Sequence, residues 1–178
     1  MIELPMFNKK LVTIGIDGCG GAGKSTLAEK IARMYPTSTI VHMDDFYLPL
    51  CERKVIHEVG GNFDYQRVIH QVIKPLIDGK ESSYQRYDWD LDEMAEWHTV
   101  EPNGCVIIEG CYSTRNEMRD YYDYTIWVET PEAVRLKRGL ERDGNSALPF
   151  WQEWMAEENQ YIKEQQPREK VDHIVSGI

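Results

Sequence analysis

The hydrophobic positions of this chain change period along its length, and each change marks an element. Leu11 to Ile16 is a β-branched run with the pattern of a buried parallel strand. Leu27, Ile31 and Met34 then recur at i, i+4 and i+7, which predicts an amphipathic helix. A second strand is expected within "TSTIVHMDDF", residues 37–46, with Asp44 and Asp45 at its carboxyl end. Periodicity lapses over 48–62, around Pro49 and Gly60-Gly61. After Asp64, the positions Val68, Ile69, Val72, Ile73, Leu76 and Ile77 line one helix face that stops at Gly79, with a kink expected near Pro75. "SSYQRYDWD", residues 82–90, reads as extended, and "GCVIIEG" (104–110) as a buried strand ending in Glu109. "YDYTIWVET" (122–130) is a further strand, after which Pro131 opens a helix running to Asp143. Another helix is expected over 149–166, where Trp151, Trp154, Met155, Tyr161 and Ile162 have core spacing, and a last strand over 170–177. Strands alternating with helices predict an α/β fold of three layers, a parallel five-stranded sheet with helices on both faces. Ligands of such sheets bind at the carboxyl ends of the strands.

Composition narrows the function. At 178 residues, positions 1–178 are expected to form a single domain with a substantial core. The formal net charge is −10, and no Lys/Arg run exceeds two residues, so nucleic acid is not an expected partner. The N-terminus lacks a signal-peptide layout and no apolar run approaches membrane-spanning length, so no membrane association is expected. Cys19, Cys51, Cys105 and Cys111 show neither C-x-x-C nor metal-site spacing, which fits a reducing cytoplasm. Self-association into a homo-oligomer is left open.

The chemistry starts at "IGIDGCGGAGKSTLAEKIA", residues 14–32. Gly18, Gly23, Lys24 and Ser25 fit G-x-x-x-x-G-K-[ST], preceded by a strand and followed by a helix, as a phosphate-binding loop requires. The stretch Gly18, Cys19, Gly20, Gly21, Ala22, Gly23, Lys24, Ser25 and Thr26 is therefore the expected site for nucleotide phosphates. Lys24 is placed to reach the β and γ phosphates, and the Ser25 hydroxyl to ligate Mg²⁺. ATP and Mg²⁺ are the cofactors this implies, on a P-loop NTPase fold. An N-K-x-D guanine motif is absent, and motors need more chain. A small-molecule kinase instead needs a base near an acceptor hydroxyl, a carboxylate near Mg²⁺ and positive charge around the moving phosphoryl group. Asp44 can supply the base and bind the Mg²⁺ shell. Glu109 ends an apolar strand, where its charge needs a partner such as Mg²⁺. Arg135, Arg138 and Arg142, at i, i+3 and i+7 on one helix face, can supply the charge. A solvated basic face and an N-cap at Asp64 are the plainer alternatives for these positions.

The blocks "DGCGGAGKST", "HMDDFYLP", "GGNFDYQRV", "RYDWD", "IIEG" and "VRLKRGLERD" occur in the order of the uridine kinase branch of the phosphoribulokinase/uridine kinase family, which this chain resembles from about residue 11 to 143. The resemblance implies a catalytic role for Asp44 and a Glu at position 109 beside the metal. It implies an acceptor region over about 44–92, with Tyr47 lining the pocket, Asp64 bonding sugar hydroxyls, and Tyr87 and Trp89 contacting a base. It also implies a lid-like helix over about 131–143 whose arginines clamp phosphates. The expected reaction is ATP-dependent phosphorylation of a hydroxyl, foremost the 5′-OH of a uridine- or cytidine-like nucleoside. Another small hydroxyl metabolite as acceptor, or a non-catalytic ATP-binding regulator, are the alternatives.

Departures from the family pattern fall on the acceptor side. "DLDEMAEW" is acidic where uridine kinases carry a His and an Arg for the base, and "GNSALPF" replaces basic lid sequence after Asp143. Asp88, Asp90 and Asp92 imitate a calcium loop, but Glu93 and Thr99 stand where Gly and Glu are needed. His42, His57, His70, His98 and His173 show no metal spacing and no nucleophile partner.

Overall fold

The computed structural model describes residues 2–53 and 58–178, so His57 lies outside the described residues. Five strands form one parallel sheet: β1 (Leu11–Asp17), β2 (Ser38–His42), β5 (Gly104–Glu109), β6 (Tyr124–Glu129) and β7 (His173–Ser176), in the order β2-β5-β1-β6-β7. β1 is central, and every crossover between these parallel neighbours passes through helix or loop.

The two faces of the sheet carry different cores. Val12, Ile14 and Ile16 of β1, with Ile107 and Ile126, pack against Leu27, Ala28 and Ile31 of helix α1 (Lys24–Ala32). On the other side, Val106 and Ile108 pack against Met43, Phe46, Val68, Val72 and Leu76. β1 itself shows Leu11, Thr13, Gly15 and Asp17 to this second side, so beyond Leu11 its run is strongly apolar on one face only. Met34, expected on the buried face of α1, is exposed, because the helix ends at Ala32.

Three further elements differ from the sequence pattern. The second strand stops at His42, and Met43–Phe46 is a 3₁₀ turn, so Asp44 and Asp45 sit on a tight turn beyond the strand. The helix after Asp64 runs as α2 (Tyr65–Arg67), a π-helical stretch Val68–Ile73, and α3 (Lys74–Ile77). Pro75 lacks the N–H that would bond to the carbonyl four residues back, and the wider turns lie just before it. "SSYQRYDWD" is one arm of an antiparallel hairpin, β3 (Ser82–Asp88) and β4 (Glu93–Val100), standing apart from the main sheet. β4 mixes polar and apolar residues in equal number and is half exposed, so no buried alternation announces it.

A short helix α4 (Asn116–Arg119) follows β5; α5 (Glu132–Asp143) and α6 (Leu148–Gln165) precede β7. α5 and α6 pack through Gly139, where a Cβ would run into the Trp151 ring. Trp151, Met155 and Tyr161 are buried as their spacing predicts, while Trp154 and Ile162 are half-buried. Among the described residues, no helix is long and apolar enough to cross a membrane.

Candidate active site

The glycine loop leaves β1 at Asp17, whose buried carboxylate anchors the site. It accepts hydrogen bonds from Gly18 N (2.7 Å), Tyr112 N (3.0 Å), Thr114 N (2.9 Å), Thr114 Oγ1 (2.8 Å) and Tyr161 Oη (2.7 Å). Burial raises its pKa, and the bonds from Tyr161, Thr114 and Gly18 pull the other way. One side chain thus fastens the loop to the segment after β5 and to α6. The turn itself needs glycine at position 21, where φ is +74° and a Cβ would sit 2.6 Å from the Arg135 carbonyl oxygen.

Lys24 opens α1 and is buried, its Nζ donating to the Cys19 carbonyl (2.9 Å) and lying 3.5 Å from Cys111 Sγ. Burial disfavours the ammonium, but the carboxylates around it, Glu109, Glu158 and Asp17, favour the charged form and raise the pKa, so Lys24 is charged. Burial pushes the Cys19 thiol up to about 12 and Cys111 well above its ordinary value, so both are neutral thiols.

Beside the lysine, Ser25 Oγ donates to Glu109 Oε1 (3.1 Å), and His42 Nδ1 lies 2.6 Å from the same oxygen. His42 and Glu109 face each other because they are register partners at the ends of the neighbouring strands β2 and β5. Burial alone would raise the Glu109 carboxyl, but His42, Lys24 and Ser25 hold it below its usual value. The bond to Glu109, against the cost of burial, raises the His42 pKa. A hydroxyl and an ionised carboxylate are hard oxygen donors of the kind Mg²⁺ takes, so this pair fits that ion. No cluster of three His, Cys, Asp or Glu poised around a metal occurs among the described residues. Mg²⁺ needs none when substrate phosphates and water complete its shell.

Asp44 opens onto the same cleft as Lys24, Ser25 and Glu109. Desolvation by the surrounding protein raises its carboxyl pKa, with Lys24 opposing and Glu109 adding to the shift, although the side chain itself is open to the water of the cleft. Asp45 points elsewhere and accepts from Tyr84 Oη at 3.1 Å.

The acceptor-side residues separate. Trp89 lines the cleft, its Nε1 donating to the Asp44 carbonyl at 3.1 Å. Tyr47 stacks behind it, ring centroids 4.5 Å apart, and meets Phe63 edge-on at 4.8 Å. Tyr87, expected at the base, is instead 1% exposed, with its hydroxyl donating to Asp92 (2.6 Å) and accepting from Arg53 (2.8 Å). Asp92 also accepts from Leu50 N (3.0 Å), so the acidic "DLDE" turn ties the hairpin to the loop after β2. Asp64 takes the N-cap position of its helix, accepting from Arg67 N at 3.2 Å, away from the cleft lining.

The three arginines of α5 also part ways. Arg135 is buried and is no free clamp: Nη1 pairs with Glu158 Oε2 at 3.1 Å and Nε donates to the Thr130 carbonyl. Glu158 Oε1 in turn accepts from Gly20 N at 2.6 Å, so a carboxylate of α6 holds the phosphate loop from behind Arg135. Nothing in the spacing of α5 reveals that partner. Arg138 reaches the cleft and donates to the Gly21 (3.3 Å) and Gly177 (3.0 Å) carbonyls, while Arg142 lines the cleft and pairs with Asp143 at 2.6 Å.

The cleft these groups line encloses about 940 Å³ at the carboxyl ends of β1, β2 and β5. A parallel sheet with a glycine loop feeding a lysine-headed helix at that edge defines a P-loop phosphate-binding protein. Residues 13–163 match the phosphoribulokinase/uridine kinase family, and the chain belongs to it. It is 30% identical over 138 residues to a uridine kinase of Halobacterium salinarum, covering 73% of this chain and 61% of that protein. It is 32% identical over 148 residues to a uridine kinase of Clostridium tetani, covering 76% and 69% respectively. The chain thus spans about two thirds of the length of the curated relatives it matches. Among solved structures it is similar in fold to one described as a possible uridine kinase from Bacillus stearothermophilus (TM-score 0.73, 20% identity, 95% of this chain and 90% of that one). It is also similar in fold to the D-glycerate 3-kinase of Cryptococcus neoformans (TM-score 0.65, 13% identity, 96% and 89%).

Proposed function

We propose that this chain is a single kinase domain that uses ATP and Mg²⁺ to phosphorylate a hydroxyl of a small molecule, foremost the 5′-OH of a nucleoside. The observation that carries the reading is that Asp44 opens onto the same cleft as Lys24, Ser25 and Glu109. The backbone N–H groups of the loop and the charged Lys24 bind the β and γ phosphates. Bound at Ser25 and Glu109, Mg²⁺ supplies charge neutralisation on those phosphates. Asp44 accepts the proton as the acceptor oxygen bonds to the γ-phosphorus and the bond to the bridging oxygen of ADP breaks. The raised pKa of Asp44 suits a base that must take up a proton. Arg138 and Arg142 stand at the cleft to meet the transferred group, and Trp89 offers the acceptor an aromatic face. Of the residues the family resemblance assigns to the acceptor, Tyr47 supports Trp89 from behind, while Tyr87 and Asp64 hold the hairpin and helix that frame the pocket.

The uridine kinase names of the relatives favour a nucleoside acceptor. ADP release from MgATP, measured over a panel of nucleosides and small alcohols, tests the reading. At least one nucleoside is expected to be turned over. Turnover of another alcohol alone would move the acceptor class, and tight ATP binding without any turnover would replace the enzyme by a regulator.

A further inference from the structure

The acceptor end of the cleft has a charge that a neutral nucleoside leaves unused. Glu157, on the cleft-facing side of α6, lines the cleft together with Trp154, Phe63 and Trp89. A methyl group built on Gly61 would lie 3.6 Å from both Glu157 carboxylate oxygens, so this carboxylate stands over the turn that leads into Phe63. The lining rings share a backing: Trp89 stacks on Tyr47 (4.5 Å), Tyr47 meets Phe63 (4.8 Å) and Phe63 meets Tyr112 (5.5 Å), so Trp89, Phe63 and Tyr112 face the cleft with Tyr47 behind them. Among the described residues, Glu157 has no hydrogen-bond or ion-pair partner. Its charged neighbours are the carboxylates Glu153 and Glu158, which, after burial, raise its pKa.

The cations nearby are already committed. Arg53 lies over Tyr47 but pairs with Asp92 and the Tyr87 hydroxyl. Arg115 is spent on Glu117, and Arg135 on Glu158. Lys24, Lys30, Arg138 and Arg142, the cations that line the cleft, belong to α1 and α5, where the phosphates of ATP are proposed to lie. An uncompensated carboxylate over an aromatic wall is the arrangement that recognises a positive charge, by direct attraction and by the ring faces.

We infer that the acceptor carries a positive charge, held between Glu157 and the Trp89–Phe63 wall, and that Glu157 sets this preference. The acceptor is thus a cationic nucleoside or an ammonium-bearing alcohol. The inference rests on the kinase reading for the hydroxyl but not for the cation, and the experiment separates the two.

Matched probes are 1-methyladenosine against adenosine, 3-methylcytidine against cytidine, and choline against its uncharged carbon isostere. The first member of each pair is cationic at neutral pH. Binding is followed by tryptophan fluorescence with MgADP present, and turnover by ADP release from MgATP. At least one cationic probe is expected to bind about tenfold or more tighter than its neutral partner. Glu157→Gln should bring the ratio of affinities within each pair to about one, and Glu157→Lys should reverse it. Equal binding within every pair, no binding of any cationic probe, or a preference that survives Glu157→Gln would each overturn the inference. A Glu157-dependent preference without turnover would instead leave the cation site standing and remove the kinase reading.

Discussion

At the scale of single residues, neighbours in sequence do different work. Asp44 faces the cleft and Asp45 faces Tyr84, although the two are adjacent. Asp44→Asn keeps the shape of the side chain but removes its ability to take a proton. It is expected to lower kcat by roughly 10²-fold or more with little change in ATP affinity. Asp45→Asn should leave kcat nearly intact, since its role is the bond to Tyr84. Steady-state kinetics on both variants decides the assignment, and the reverse ranking would move the base to Asp45. The candidate base was legible because an aspartate follows a strand in a phosphate-loop chain. His42 beside Glu109 was not, since 67 residues separate them and only strand register makes them partners. Asp17 was equally silent, because four of its five donors come from two distant parts of the chain, residues 112–114 and Tyr161.

Elements show why spacing identifies a helix face but not its neighbour. Arg135, Arg138 and Arg142 share one side of α5 as their periodicity requires, yet α6 packs over the first of them. A phosphate-clamping arginine would cost activity and leave stability alone. A buried partner of Glu158 should do the reverse first. Arg135→Met strands the Glu158 carboxylate beside Gly20 N and is expected to destabilise the fold by about 3–5 kcal/mol. Urea unfolding measures this, and a loss below about 1 kcal/mol together with a large fall in kcat would restore the clamping role. The hairpin β3–β4 illustrates the same limit. Its first arm carries alternating buried positions and reads as extended, whereas its second arm is half exposed without alternation and is identified only by pairing.

For the whole molecule, the cleft joins the loop after β1 to the turn after β2, the end of β5 and the helices α5 and α6, so filling it should stabilise all of them together. A ligand at 100 times its Kd adds about 2.7 kcal/mol, which for a chain of this length is a rise in Tm of roughly 5–10 °C. MgATP should produce such a rise in a thermal melt, EDTA should reduce it, and Lys24→Ala should abolish most of it while leaving the unliganded protein folded. An unchanged shift in Lys24→Ala would remove the phosphate loop from the binding account. The sequence by itself determined the alternation of strands and helices, the phosphate loop and the family, because each is written in short-range spacing that needs no distant partner. The Asp64 cap is local and was one of the readings its place before a helix allowed, but tertiary structure alone decided that Arg135 is buried, that Tyr87 faces Arg53 and Asp92, and that Glu157 stands over an aromatic wall. Those outcomes depend on which segments the sheet order and the packing of α6 bring together, and contacts across tens of residues leave no period in the chain.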